Sequence, residues 1–387
     1  MHNKFDLIVA GGGFAGAAAA IAAAREGLSV MIFDRNNCFG GAASECLVNP
    51  FMYYWTNMSD ENKTRVNLCR GIFEEIVNNL KKIGGMPDDC SFNEEYLKLV
   101  LNRMILAENI TVLFNSYLSG VKTENGYVRG VILSNKSGNE VYYADYFIDA
   151  TGDGDLAAMC GCPYSIGRPE DGLCQPMTLC FRVGNVDIEK FKSEKEEINR
   201  LYSEYQKNGL IKNTRENVLT FFVPAYGVVH FNSTRIVKKS PVNAKEITEA
   251  EIEAREQVFE LFNFIKDNFS SFKNAQLLTT AIRTGVRESR MIMGRYVLNQ
   301  DDLISCKKFD DAIAVGNYDI DIHNPSGSGT SHYYFGEEEY YSIPYRCITP
   351  LTTKNLLVAG RCISSTHEAQ ASYRIMPICC CLGQAAG

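Results

Sequence analysis

Three glycines, Gly11, Gly13 and Gly16, follow the apolar run Phe5–Ala10 in G-x-G-x-x-G spacing, and an acid, Asp34, falls eighteen residues beyond the last of them. Together they are equipped to bind a dinucleotide. Gly11 permits a tight turn off a strand. Gly13 removes a Cβ so that a pyrophosphate can reach the backbone of the Phe14–Ala15 turn, and Gly16 lets a helix lie close to a sheet. The phosphates then meet a helix N-terminus, where free N–H groups and the helix dipole favour anions. Asp34, with Arg35 beside it, ends a second apolar run and can accept both hydrogen bonds of a ribose diol. Bond-making chemistry has other candidates. His332, in Ser331–Tyr334, and His323, in Asp321–Pro325, could each exchange a proton near neutral pH, or could be hydrogen-bonded loop histidines. Arg283, Arg287 and Arg290 have helical spacing, so on a helix they share a face able to clamp a carboxylate or a phosphate; a solvated face is the plainer reading.

The elements that must position these residues follow in order. Phe5–Ala10 and Leu28–Phe33 suit buried parallel strands, with an alanine-rich helix between them. Gly40–Ser44 reads as a loop, either a surface turn or one whose backbone, Gly41 and Ala42 included, approaches a large flat ligand. Phe51–Trp55 is aromatic enough to stack on a ring system, though core packing is its ordinary role. Helical spacing runs over Val66–Lys82 and Phe92–Ala107, the second entered through Ser91 as cap with Glu94 three residues on. Thr111–Phe114, Tyr117–Lys122, Tyr127–Ser134 and Val141–Phe147 read as strands joined partly by hairpin turns, giving a three-stranded meander beside the parallel sheet. Phe147–Asp155 then runs an apolar strand into Ala150-Thr151-Gly152, suited to backbone passing near the adenosine half of a nucleotide. Over 161–343 the pattern is irregular and mixed. Leu179–Val183, Val218–Val223 and Val228–Phe231 are expected as strands, and Glu246–Phe269 and Ala275–Arg290 as helices. This interruption reads as an inserted α+β substrate domain between a nucleotide domain's two parts, 1–160 and 344–387. The last part offers a strand over Asn355–Arg361 and a helix from Met376, with Pro377 near its start and no cap before Gly387, which reads as a truncated fragment.

Composition narrows the class. The chain has 387 residues, 45% hydrophobic and 22% charged, with a formal charge of −7 and no basic run, so a nucleic-acid surface is not expected. No secretory leader or membrane-length apolar stretch is seen, so a cytoplasmic protein without membrane partners is expected, and its 14 cysteines read as reduced thiols.

Four stretches together, the N-terminal glycine fingerprint, Phe147–Gly161, Thr284–Leu298 and Ser342–Gly387, resemble the FAD-dependent oxidoreductase family. The resemblance is to members grouped near the flavoproteins of heterodisulfide reductases, more distantly similar to fumarate reductase flavoproteins. It implies an α/β, glutathione-reductase-type FAD fold. It also implies FAD pyrophosphate on Gly11–Gly16, ribose on Asp34, Gly360 and Arg361 approaching the pyrophosphate, and a helix beginning at Met376 that points at the flavin pyrimidine edge. A helix N-terminus there would stabilise the anionic reduced flavin. His367 and Arg374 beside that helix become the preferred catalytic residues, with Glu45 as a further base or a loop-surface acid. The reading departs from a disulfide reductase, because Ala42 and Ala43 stand where redox cysteines would be and seven residues separate Cys38 from Cys46. No second glycine fingerprint follows a strand, so the electron donor or acceptor is unknown. The group's relatives raise an iron–sulfur cluster, yet neither Cys160, Cys162, Cys174 and Cys180 nor Cys379–Cys381 has ferredoxin spacing. The expected function is hydride transfer between flavin N5 and a small polar metabolite, a carbohydrate-type alcohol or an unsaturated carboxylate. The alternatives are an electron-transfer flavoprotein working through an iron–sulfur centre, or a nucleotide-binding module without catalysis.

Overall fold

The structure is a computed structural model, describing residues 4–223 and 225–387. Strand β1 (Lys4–Ala10) leads through the glycine turn into helix α1 (Phe14–Arg25) and on to strand β2 (Val30–Phe33). All four residues of β2 and the last four of β1 are buried, as apolar strands with a helix on one face require. The sheet has seven strands. Its order is Thr111–Leu113, β2, β1, Gly138–Asp149, Tyr127–Asn135, Tyr117–Glu124, with Leu356–Val358 also paired to Gly138–Asp149. Thr111–Leu113, β2, β1, Gly138–Asp149 and Leu356–Val358 are parallel, and the meander strands pair antiparallel, so the sheet is the α/β type expected.

The twelve-residue strand Gly138–Asp149 links the two parts. Its first half pairs with Tyr127–Asn135, and its second half lies beside β1, with Leu356–Val358 against its last three residues. The meander turn uses Asn125 and Gly126, both at positive φ (51° and 79°), which matches the right-handed twist of the flanking strands.

A second core lies apart from this one. The antiparallel strands Thr220–Phe222, Val229–Phe231, Phe181–Gly184 and Gln276–Thr280 form its sheet in that order, and the helices Ile188–Lys207 and Ala244–Asn268 pack on it. Phe181 and Phe231 stack at 4.7 Å in its centre. The chain from 282 to 343 returns to the first core, where Ala314, Ile320, Tyr341 and Ile343 are buried.

Three local expectations are corrected. Ala275–Arg290 is not a helix. Gln276–Thr280 is a strand on Phe181–Gly184, and the chain then runs without helix to a short strand at Arg290–Ile292. Pairing with a preformed sheet edge outweighs the helical spacing there, and Gly285 exchanges backbone hydrogen bonds with Thr178. The helix Glu94–Ala107 is capped by Asn93, whose side chain accepts from Glu95 N (2.9 Å). Ser91 instead donates its N–H to Asp88 in the preceding turn. The Val66–Lys82 element becomes a strand, Arg65–Asn67, and a helix that begins only at Ile72. The Phe51–Trp55 aromatics pack with one another and with core rings, Phe51 lying 4.3 Å from Phe92 and 5.5 Å from Phe14.

Candidate functional site

Three strand ends meet at one point. Ala10 and Val358 both lie in register with Asp149, Ala150 N donates to Ala10 O (2.8 Å), and Ala359 N donates to Asp149 O (2.8 Å). The glycine turn, the Ala-Thr-Gly turn and the Ala-Gly-Arg turn therefore leave the same edge of the sheet. In open α/β sheets this C-terminal edge is where ligands bind. Asp149 anchors the convergence. Its fully buried carboxylate accepts from Thr151 N and Oγ1 and from Ala157 N, and burial pushes its pKa up to about 6 against those hydrogen bonds.

A cleft of about 510 Å³ opens over this edge. Its wall contains Gly11, Gly13, Phe14, Ala15, Asp34, Arg35, Gly41, Ala42, Ala150, Thr151, Gly152, Gly360, Arg361 and Met376. Gly16 stands behind the wall. A Cβ there would fall 1.8 Å from Gly11 O, so this glycine sets how closely α1 meets the turn. Gly11 itself sits at φ +98°, and a Cβ would lie 2.5 Å from Ala150 O.

The wall fits FAD on four observations. A Cβ at Gly13 would meet nothing nearer than Gly41 Cα at 4.0 Å, which leaves open room beside the backbone. No side chain caps the N-terminus of α1, so its first N–H groups are unclaimed by the protein. Asp34 is buried at the end of β2. Its Oδ2 accepts from Gly12 N (2.5 Å) and its Oδ1 from Asn36 N (2.8 Å) and Asn36 Nδ2 (2.6 Å), which fixes the carboxylate and leaves acceptor capacity on Oδ2 for a hydroxyl donor. The helix Met376–Ala386 also lacks a side-chain cap, and its first residue is in the cleft wall. Arg361 lines the cleft, but its guanidinium is engaged with Asp153 Oδ1 (2.5 Å), Gly152 O (3.1 Å) and Val286 O, so it ties the converging turns together.

The bond-making candidates are dispersed. Arg374 lines the cleft and donates to Asp321 Oδ2 (3.1 Å). His367, beside the same helix, is buried off the wall, its Nδ1 2.7 Å from Glu288 Oε1, while Glu288 Oε2 accepts from Gln175 N. His323 is buried between Asp321 (3.3 Å) and Thr330 (3.1 Å). Burial and the nearby Arg287 charge push its pKa down to about 3, so its imidazole is neutral. Burial opposes ionisation of Asp321, but the His323 hydrogen bond and the Arg374 charge outweigh it and hold that carboxyl well below the usual range. His332 is exposed, pairs with Asp319 (2.5 Å) and stacks on Tyr334.

The shared arginine face does not exist. Arg283 meets Glu45, Arg287 donates to Pro176 O and Thr178 Oγ1 (both 2.6 Å), and Arg290 meets Asp155 (2.9 Å). Without a helix over this segment the three side chains leave the backbone in different directions.

Glu45 gains importance from its surroundings. It ends the short helix Ala42–Glu45, is 1% exposed, and neither carboxylate oxygen accepts an aligned hydrogen bond. Arg283 Nη2 approaches Oε2 to 2.6 Å, and Arg283, Ala42 and Cys46 line the cleft around it. Burial pushes the Glu45 pKa up to about 7 against the pull of Arg283, with the Asp34 charge adding to the rise.

Several wall residues carry no signal in the sequence. Ser116, Tyr117 and Leu118 enter from the meander, and Pro241, Ile247 and Glu251 from the second core's side. All fourteen cysteines are free, and among the described residues no three of them bring sulfur atoms within 4.8 Å of one another. No helix among the described residues is long and apolar enough to cross a membrane.

The chain has relatives among known proteins. A curated one, the digeranylgeranylglycerophospholipid reductase of Sulfolobus acidocaldarius, is 24% identical over 160 residues, 38% of this chain and 34% of the relative. The chain thus spans about a third of the length of that relative. Among solved structures, a geranylgeranyl bacteriochlorophyll reductase-like protein of Thermoplasma acidophilum is 12% identical, with 98% of this chain and 76% of that one covered at a TM-score of 0.46. The p-nitrophenol 4-monooxygenase of Pseudomonas putida is 10% identical, with 76% and 70% covered at a TM-score of 0.43. The model of the family described as FAD dependent oxidoreductase matches residues 6–387, so the chain belongs to the FAD dependent oxidoreductase family and FAD is its cofactor.

Proposed function

We propose that this chain is an oxidoreductase that moves a hydride equivalent between FAD and a small polar metabolite, an alcohol of carbohydrate type or an unsaturated carboxylate. The observation that carries this reading is a single cleft. It runs from the glycine turn and Asp34 to the uncapped N-terminus at Met376, and Arg283 and Arg374 both line it. Bound FAD supplies the two-electron redox chemistry. The protein supplies position, charge and protons.

In this reading the first turn of α1 holds the pyrophosphate, and Asp34 accepts from ribose hydroxyls. The N-terminus at Met376 favours negative charge in its neighbourhood. Arg374, steadied by Asp321, orients a polar substrate group. Glu45 holds a proton at a carboxylate oxygen up to near-neutral pH behind Arg283, which suits a general acid whose working range is close to 7. His367, His323 and Arg287 act as positioning residues around that end of the cleft, and His332 has its place on the outer hairpin. We further propose the division into 1–160, 161–343 and 344–387, with the 282–343 stretch of the middle part packed on the first core, a cytoplasmic location, and an electron donor or acceptor as partner.

The test is anaerobic. FAD-loaded protein is mixed with sugar alcohols and saturated carboxylates, and photoreduced protein with keto sugars and unsaturated carboxylates, while the flavin band near 450 nm is followed. Bleaching or reoxidation by one class supports the reading. A flavin that dithionite reduces but that no compound of either class cycles counts against it, and points to a binding module without catalysis.

A further inference from the structure

Arg215 lies in the connection between the Ile188–Lys207 helix and the Thr220–Phe222 strand and is 4% exposed. Its backbone is fixed, N donating to Asn213 Oδ1 (3.0 Å) and O accepting from Gln206 Nε2 (2.8 Å). Its side chain is not. Nε is buried without an acceptor, and among the described residues no acceptor or carboxylate meets the guanidinium.

Other inward-facing arginines are all engaged. Arg182 forks onto Glu94, Arg235 reaches Glu216 and Gly329 O, Arg287 reaches Pro176 O and Thr178, and Arg374 reaches Asp321. A buried guanidinium nitrogen with no acceptor is unfavourable unless something else supplies one.

The charges around Arg215 are out of balance. Arg215, Arg235, Arg287 and Arg374 act on one another or on Glu216 and Asp321, and Glu260, which accepts from Lys212 N and Asn213 N, lies in the same group, so four positive charges face three negative ones. His323 is neutral, Asp319 is taken up by His332, and Glu288 by His367. Burial, with repulsion from Arg374 and Arg215, pushes Arg287 down to about 9. The group reaches the cleft through Arg374, which lines it, while Arg287 and Arg215 stand behind the wall.

We propose that Arg215, with Arg287 and Arg374, forms the seat for an oxyanion, the carboxylate or phosphate of the small metabolite that enters the cleft. This rests on the oxidoreductase reading above and restricts its substrate to anionic molecules. An anion accepting from Arg215 would use the unclaimed donors and neutralise the excess charge without disturbing Glu216 or Asp321.

The test uses malonate and inorganic phosphate as probes, with sodium chloride at matched ionic strength and glycerol as controls. Thermal denaturation and titration calorimetry are run on the full chain, both flavin-free and FAD-loaded. The expected result is saturable stabilisation by malonate, phosphate or both but by neither control, with at least a tenfold loss of affinity in Arg215→Gln. Because Arg215→Gln also removes an unpaired buried charge, it should melt no lower than the wild type in anion-free buffer. Wild-type protein that responds to both anions only as it does to chloride overturns the proposal, and so does an Arg215→Gln variant that binds them as tightly as the wild type. Absorbance of bound FAD is recorded in parallel. Flavin retention without an anion response defeats this inference alone, and an anion response without flavin retention defeats the oxidoreductase reading alone.

Discussion

Replacing Glu45 by Gln keeps the shape of the side chain and removes its ionisation. In the unfolded chain this carboxyl titrates at its ordinary value of 4.5, and in the folded protein burial raises it to about 7. A group whose pKa is higher when folded adds stability at low pH, and that contribution drains away as pH rises through the folded value. The wild type should therefore lose stability between pH 4.5 and 7, whereas Glu45→Gln, with no proton to release, keeps it. At pH 8 the gap corresponds to about 3 kcal/mol in favour of the variant, shrinking to under about 1 kcal/mol near pH 5. The assay is urea denaturation of flavin-free protein at both pH values, comparing midpoints at equal slopes. Coincident midpoints at pH 8, or a variant less stable there, would refute the placement of Glu45 as a buried acid that keeps its proton near neutrality.

Three further outcomes are expected. Asp34→Ala should weaken FAD binding by ~1–3 kcal/mol through lost hydrogen bonds, measured as quenching of FAD fluorescence, with the sheet intact by circular dichroism. Arg182→Leu leaves Glu94 buried without its partner and should cost about 3–5 kcal/mol in denaturation, because this bidentate pair fastens the second core to the Glu94–Ala107 helix. The His323 imidazole should stay neutral, with ring proton resonances in NMR that do not titrate between pH 5 and 8, since its pKa lies at about 3; a titration near 6.5 would contradict its burial between Asp321 and Thr330.

The nucleotide half of this protein was legible because local physics and final structure agree there. Gly11 at φ +98°, Gly16 against Gly11 O, the Asn125-Gly126 turn and the buried run of β1 each need a residue type that the sequence displays at the right spacing. Convergence of the three turns was also readable, since each apolar run ends in glycine. The reactive end was not. Arg283, Arg287 and Arg290 carry helical spacing, yet the edge of Phe181–Gly184 recruits Gln276–Thr280 as a strand, and a long-range pairing of that kind leaves no trace in a local window. Arg215 is equally silent in the sequence, where nothing marks one arginine in a polar connection as buried and unpaired. Close helix contact is a third case. A Cβ on Gly383 would fall 1.9 Å from Ala15 O, so this residue sets the distance between the last helix and α1, a contact that no local pattern displays.

The most direct measurement is the flavin content of the chain. Protein incubated with excess FAD and passed through a desalting column should emerge yellow, with absorbance near 450 nm equivalent to about one FAD per chain, and Asp34→Ala should retain less. A colourless wild-type protein, folded by circular dichroism yet free of flavin after this treatment, would contradict the account at its base.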